Sequence, residues 1–399
     1  MKTLIRKIAV ITTSRADYSH LYWPLRDLSG HAQVDLQLIV LGAHLSPEFG
    51  LTVREIEKDG FPIAAKLECL LSSDSDVGMA KTIGVATLSL ADCLAQMRPD
   101  ILLLIADRYE MLAPASVALA LRIPVAHIEG GELSEGAIDD AVRHALTKLS
   151  HIHFTSTFEA RRRIIAMDEE EWRVHRAGAP SLDHLRRSTL HMREELEARL
   201  HVKLENSAIV VSYHPVTLAR NTTQEADALF AVLATLPDQL VFCYPNADAG
   251  SRWLIERTRS FLATRNNSHV FINLDPITYW GLLREAGLFL GNSSSGIMET
   301  PSFALPAVNV GLRQQGRERA KNIIDAAADS SAILDAIRKA RTVEFRDSLR
   351  GMKNPYGDGR AAETIVEVLT TVPLAEELLM KRHAPLPTSE SVSRAKSAP

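Results

Sequence analysis

The chain has 399 residues, too many for one ordinary hydrophobic core and enough for two domains. Its 46% hydrophobic and 24% charged residues are those of a globular protein, and a net charge of -4 excludes any general attraction to nucleic acid or an anionic membrane. Cys69, Cys93 and Cys243 are an odd number without CxxC spacing, each in an apolar stretch, which fits a reducing compartment.

Short β-branched runs alternate with amphipathic segments from the start. KIAVITT, VDLQLIVLG, IAAKLECL, ILLLIA, VAHIEG, HIHFTST and VHRAGA read as strands, and Met79 to Gln96 reads as a helix with Ile83, Leu88, Leu90 and Leu94 on an apolar stripe. Strands buried on both faces and joined by helices predict a parallel, doubly wound sheet. The run Ile8 to Ile11 is too short for a signal segment, and no apolar stretch is expected to span a membrane, so the chain reads as cytoplasmic.

After Gly178 a charged helical segment, RRSTLHMREELEARL, interrupts the alternation. SAIVVSYH, QLVFCYP, HVFINLD, GLFLGN and PAVNVG then read as strands, with helices near 223–235, 251–263 and 276–286. The predicted fold class is α/β, two Rossmann-like domains facing a central cleft. The expected boundaries are 1–183 for the first domain, 184–205 for a helical connection and 206–358 for the second domain. A helix within 359–380 is expected to pack back on the first domain, and 381–399, rich in Ser, Pro and Ala, to be disordered.

Ligands of open α/β sheets bind at the carboxyl ends of strands, so candidate chemistry is sought there. Arg15 follows the first strand and is placed to pair with a phosphate at a helix start. Gly291-Asn292-Ser293-Ser294-Ser295-Gly296 combines small residues and hydroxyls between a strand and a helix, which suits close approach of an anion; it has neither the GxGxxG pattern nor the lysine of a P-loop. Glu299, one turn further, would repel phosphates but could accept from ribose hydroxyls. His214, held extended by Pro215, and Asn246 stand at other strand ends. In the first half, Asp107, Glu129 and Asp139 gather carboxylates at one sheet edge, with Asp140, Arg143 and His144 on the same helix as Asp139. Mutual repulsion there is expected to raise some of their pKa values toward acid–base work at neutral pH. His151 and His153 share a strand face, but no third ligand of matching spacing accompanies them, and no metal is assigned.

SRADYSHL, ADRYEMLA, HIEGGE, GAIDDAVRHALTKLSHIHF, YHPVT, FCYPNADAGS, GNSSSGIMET and GLRQQGRE occur in this order. On these motifs, residues 6–370 resemble the hydrolysing UDP-N-acetylglucosamine 2-epimerases of bacterial sialic-acid synthesis and the epimerase domain of the bifunctional animal enzyme. The resemblance implies a glycosyltransferase-B type arrangement and a UDP site lined by Arg15, Ser19, Arg108, His214, Asn246, Leu274, Ser293, Ser294, Glu299 and Arg313. It also implies catalytic carboxylates at Asp107, Glu129 and Asp139, with His214 beside the leaving group. The implied reaction is elimination of UDP to a glycal and its hydration to N-acetylmannosamine, with water as reactant and no cofactor, in a homodimer or homotetramer. Two alternatives stay open: the same chemistry on a UDP-2,4-diacetamido-2,4,6-trideoxy sugar of legionaminic acid synthesis, and, in another class, a retaining glycosyltransferase or a nucleotide-sugar binding protein without turnover.

Overall fold

The structure is a computed structural model, and it describes residues 5–71, 73, 75–135, 137–214, 223–243, 251–272 and 274–382. Two wholly parallel sheets carry the fold. The first has seven strands, β1 (Arg6–Thr12), β2 (Val34–Leu41), β3 (Ile63–Leu67), β4 (Ile101–Ile105), β5 (Val125–Ile128), β6 (Ile152–Thr155) and β7 (Val174–Arg176), in the spatial order β3-β2-β1-β4-β5-β6-β7. The second has six, β8 (Ile209–Ser212), β9 (Leu240–Cys243), β10 (Ser268–Phe271), β11 (Leu288–Gly291), β12 (Ala307–Val310) and β13 (Ile323–Ala326), in the order β10-β9-β8-β11-β12-β13. The expected pair of Rossmann-like domains is therefore what the chain forms.

The strand sequences explain this. ILLLI of β4 and IVVS of β8 are buried at every position, which only a sheet covered on both faces permits. The covering helices include α1 (Arg15–Gly30), α2 (Asp76–Met97), α3 (Leu112–Leu121), α4 (Ile138–Leu149), α5 (Thr223–Thr235), α6 (Ser251–Leu262), α7 (Pro276–Glu285), α8 (Ser330–Arg341) and α9 (Ala361–Thr371). Ala361, Ile365, Val366 and Leu369 of α9 belong to the core under the first sheet, beside Leu21, Leu25 and Leu28 of α1, so α9 packs back on the first domain.

Three features depart from the sequence expectation. The sequence pattern does not reveal β13, because it is a four-residue edge strand whose Asp325 is exposed, leaving no apolar run. The charged segment after Gly178 forms two short helices, Asp183–Arg187 and Arg193–Leu200, with the break starting at Ser188 and Thr189, hydroxyl residues that favour helix ends. By length and composition α2 is apolar enough to cross a membrane, which the expectation had denied. It lies against the first domain through Thr82, Ala86, Leu90 and Leu94, while Val77, Val85 and Leu88 stay exposed on its outer face.

In each sheet the strand order reverses at one place, between β1 and β4 in the first and between β8 and β11 in the second. Loops leaving adjacent strands at such a point diverge and open a crevice. The motifs SRADYSHL, ADRYEMLA, YHPVT and GNSSSGIMET are the exits of those four strands.

Candidate active site

Two adjoining cavities, of about 860 and 910 Å³ including space open to solvent, occupy the crevice. Ala16, His20, Ser294, Met298 and Arg313 line both and mark the seam. The first cavity is bounded by Asp107, Arg108, Glu129, Asp139, Arg143 and Arg317, the second by Arg15, Ser19, His214, Leu274, Ser293 and Glu299.

Backbone geometry aims the first-domain carboxylates. Ala106 and Glu129, at the exits of β4 and β5, have φ of +58° and +64°, a left-handed conformation costing a non-glycine residue about 1–3 kcal/mol. Hydrogen bonds from Ala106 N to Ile128 O at 2.9 Å and from Glu129 N to Phe154 O at 2.8 Å hold both turns. Asp107 then points into the cavity immediately after one strained residue, and Glu129 does so as the other.

Each of the three carboxylates meets a cation from elsewhere in the chain. Asp107 is paired with the buried Arg143, Asp139 lies 3.3 Å from Arg313, and Glu129 Oε1 lies 2.7 Å from His20 Nδ1. The expected rise in pKa from carboxylate crowding is reversed at Glu129. Burial pushes its carboxyl up, but His20, above all, and Arg317 outweigh burial and hold it below the usual range. His20 is pushed down by burial and raised more strongly by Glu129, Glu299 and Asp17, to about 9. The pair is therefore carboxylate and imidazolium at neutral pH.

Burial raises the carboxyls of Asp17 and Glu299, and it pushes Glu132, the last residue of HIEGGE, up to about 7, with Arg317 and Arg163 opposing and Glu129 and Glu318 adding. Between its ordinary value of 4.5 and about 7 the folded protein holds a proton there that the unfolded chain has lost, so this group makes stability fall as pH rises through that window. Glu132→Gln is expected to remove that slope. It should stabilise the protein at pH 8 by about 1–3 kcal/mol and leave it nearly unchanged at pH 4.5, measured by urea unfolding at both pH values.

In the second cavity, Gly291 carries φ +148°, and a Cβ there would lie 1.9 Å from Ser212 O, so only glycine lets β11 run this close to β8 before the serine turn. Asn292 then clamps the neighbouring exit, accepting from His214 N at 2.7 Å and donating to His214 O at 2.9 Å. Arg313 donates to Asn292 O at 3.3 Å as well as facing Asp139, joining the two domains. The helix expected after the serine turn is a single turn, Ser295–Met298, too short for much dipole. The polar groups that line the cavity around this turn are Ser293, Ser294, His214 and Arg313. Glu299 is held by Ser295 Oγ at 2.5 Å, which Tyr279 OH meets at 2.6 Å. Phe271, Leu274, Pro276 and Tyr279 form an apolar end suited to a planar base, and Arg15 donates to Leu274 O at 3.4 Å.

The structure thus gathers Asp107, Glu129 and Asp139 on one side and Arg15, Ser19, His214, Leu274, Ser293, Ser294 and Glu299 on the other, with Arg313 reaching both. Arg108, which the resemblance puts with the nucleotide, lines the first cavity, which adjoins the second. Its guanidinium lies 2.9 Å from the buried Glu110. Asn246 lies outside the described residues. His151 and His153 are used in packing: His151 Nδ1 accepts from Val125 N at 3.1 Å, and His153 Nε2 lies 3.2 Å from Glu169. His20, Arg143, Gln314, Arg317 and Tyr279 were not assigned from sequence. The signal for His20 was helical spacing, since Ala16, Ser19 and His20 stand at i, i+3 and i+4 on α1 and all face the cavities.

Residues 26–370 match the family model described as UDP-N-acetylglucosamine 2-epimerase. The chain is 37% identical over 348 residues to a GDP/UDP-N,N'-diacetylbacillosamine 2-epimerase (hydrolyzing) of Campylobacter jejuni, covering 86% of this chain and 89% of that one. It is 36% identical to the UDP-N,N'-diacetylbacillosamine 2-epimerase (hydrolyzing) of Legionella pneumophila, over 96% of this chain and all of the relative, and 32% identical to a UDP-N-acetylglucosamine 2-epimerase of Neisseria meningitidis, over 90% and 95%. Among solved structures, the UDP-GlcNAc 2-epimerase of Neisseria meningitidis bound to UDP-GlcNAc shares the fold with a TM-score of 0.76 at 18% identity, over 91% of this chain and 99% of that one. Fold, strand-exit motifs and sequence agree, and the chain belongs to the UDP-N-acetylglucosamine 2-epimerase family.

Proposed function

We propose that the protein is a hydrolysing UDP-sugar 2-epimerase that takes a UDP-2-acetamido sugar and water to UDP and the free 2-epimer. The observation that carries the reading is the partition of the crevice. One side holds three carboxylates, the other an apolar base slot with serines, histidine and arginine, and the seam between them is where a sugar–phosphate bond would lie. A carboxylate removes the C2 proton as the C1–O bond breaks and the electron pair leaves with UDP. Water then adds its oxygen at C1 of the glycal, and a proton returns to the opposite face of C2. Arg15, His214, Arg313 and the Ser293–Ser294 turn stabilise the departing diphosphate. Glu129 and Asp107 exchange protons with the sugar, and Asp139 assists.

UDP-N-acetylglucosamine is the substrate named from the motifs. A UDP-2,4-diacetamido-2,4,6-trideoxy sugar is favoured as a second reading by the names of the relatives at 37% and 36% identity, and Met79, Tyr109 and Ile138 line the first cavity where a deoxy carbon would find apolar contact. Incubation with each substrate in deuterated water, followed by NMR, tests both. Free UDP with a C2-deuterated 2-epimer of one sugar assigns that substrate, and turnover of neither refutes the reading.

The same reading includes a homodimer or homotetramer and a cytoplasmic location, the latter fitted by three free cysteines. The outer face of α2 supports self-association. If two copies of α2 packed antiparallel about a twofold axis, Val85 would meet Leu88, exposed Lys81 would oppose exposed Asp92, and Gly84 would permit close approach. Leu88→Glu is expected to halve the mass seen by light scattering at micromolar concentration without unfolding the protein.

A further inference from the structure

His20 stands where the two cavities meet, and the reaction as written gives it no task. It projects from α1 between a carboxylate of each domain: Nδ1 lies 2.7 Å from Glu129 Oε1, and Nε2 lies 4.0 Å from Glu299 Oε1. Its side chain is 19% exposed, so the contact with Glu129 is made in a site largely screened from water. We propose that His20 is a positioning residue for the epimerisation, which orients the Glu129 carboxylate by charge and hydrogen bond and ties it, through Glu299, to the nucleotide side of the crevice.

Glu129 is 6% exposed, and burial alone favours its protonated form, which cannot take a proton from carbon. The groups facing Glu129 are His20 from α1, His127 from β5, and Arg317, with the carboxyls of Glu132 and Glu299, both pushed up by burial, nearby. Among the described residues, only His20 is in hydrogen-bond contact with the Glu129 side chain. His127 is itself pushed down to about 4 by burial and brings no cation at neutral pH. Arg317 is turned to Leu133 O at 3.1 Å and Met298 Sδ at 3.0 Å. His20 in turn is faced by Glu129, Glu299 and Asp17, and by His184, which burial holds near 4. Three carboxyl groups around one imidazole keep it protonated, and the nearest is the one that must stay ionised.

The inference rests on the reading that Glu129 exchanges a proton with the sugar, and two measurements separate the two ideas. The first needs no turnover. Long-range 15N–1H NMR of the imidazoles, with His20 assigned by its absence in His20→Asn, is expected to show His20 protonated through pH 8 in the native protein. Its midpoint should fall by more than one pH unit in Glu129→Gln, and an unmoved midpoint overturns the proposal. The second uses whichever UDP-sugar the native enzyme turns over. His20→Ala is expected to lower kcat at least 30-fold, to leave KM and the affinity for UDP within threefold, and to move the acid limb of kcat up by about one pH unit. His20→Asn, whose amide nitrogen stands where Nδ1 stands, should recover part of kcat while keeping the shifted limb, because it restores the bond and not the charge. A kcat within threefold of native in His20→Ala, or a loss with an unmoved acid limb and no recovery in His20→Asn, overturns it. If the native enzyme turns over neither sugar, the functional reading fails and the NMR midpoint alone decides the role of His20.

Discussion

Glu129→Gln lowers the rate of UDP release by roughly 10²–10⁴-fold, the range set by loss of a positioned acid or base, and Asp107→Asn does the same. Both substitutions keep shape and remove the charge that accepts a proton. They also leave the second cavity untouched, because neither residue lines it. UDP affinity by calorimetry should therefore stay within a few-fold of native while turnover is lost. The two variants differ in their cost to folding. Asp107 faces the buried guanidinium of Arg143, which also donates to Glu132 O at 2.8 Å and Ser134 Oγ at 3.2 Å. Asp107→Asn leaves that charge without its closest carboxylate and is expected to lower Tm, since removing one partner of a buried pair costs about 3–5 kcal/mol at the extreme. Asp107 is itself partly exposed, so the loss should fall well below that figure. Glu129→Gln leaves His20 free to lose its proton and should cost less. Equal loss of kcat with unequal loss of stability is the signature to look for, and undiminished turnover in either variant would remove that residue from the reaction.

Gly291→Ala is expected to destabilise the protein by more than about 4 kcal/mol, enough to prevent accumulation of soluble protein at 37 °C. The added methyl would sit 1.9 Å from Ser212 O and 2.6 Å from Ser212 C, which are backbone atoms of β8 that cannot swing aside as a side chain would. β8 and β11 are hydrogen-bonded neighbours in the middle of the second sheet, with Gly291 paired to Ser212. The same contact feeds the site, for Asn292 N and Ser293 N both bond to Ser212 O, at 3.1 and 3.3 Å. Any variant protein that does fold should accordingly bind UDP more weakly. Expression and thermal unfolding beside Gly351→Ala, at a surface glycine with φ +70° and nothing within 4 Å of its Cβ, separate steric clash from backbone strain. Loss in both to the same degree would mean that φ alone accounts for it.

The strands that build both switch points were legible because their signal is local. β4 and β8 are continuous apolar runs, and a run of that kind has few other uses than a strand covered on both faces. The strand exits were legible for the same reason, as glycines, serines and charged residues crowd the few positions after each run. Asp107, Glu129 and Ser293 are legible by that rule, while the edge strand β13, with no such run, is not. The pairings were beyond the sequence. Glu129 meets His20 across 109 positions and Asp139 meets Arg313 across 174, so the sequence showed carboxylates crowding together and could not show the cations that neutralise them. The amino-acid order thus decided which residues reach the crevice, since periodicity and turn chemistry act over a few residues. Only the tertiary structure decided their ionisation, because burial and charge act through distance in space and take no account of distance along the chain.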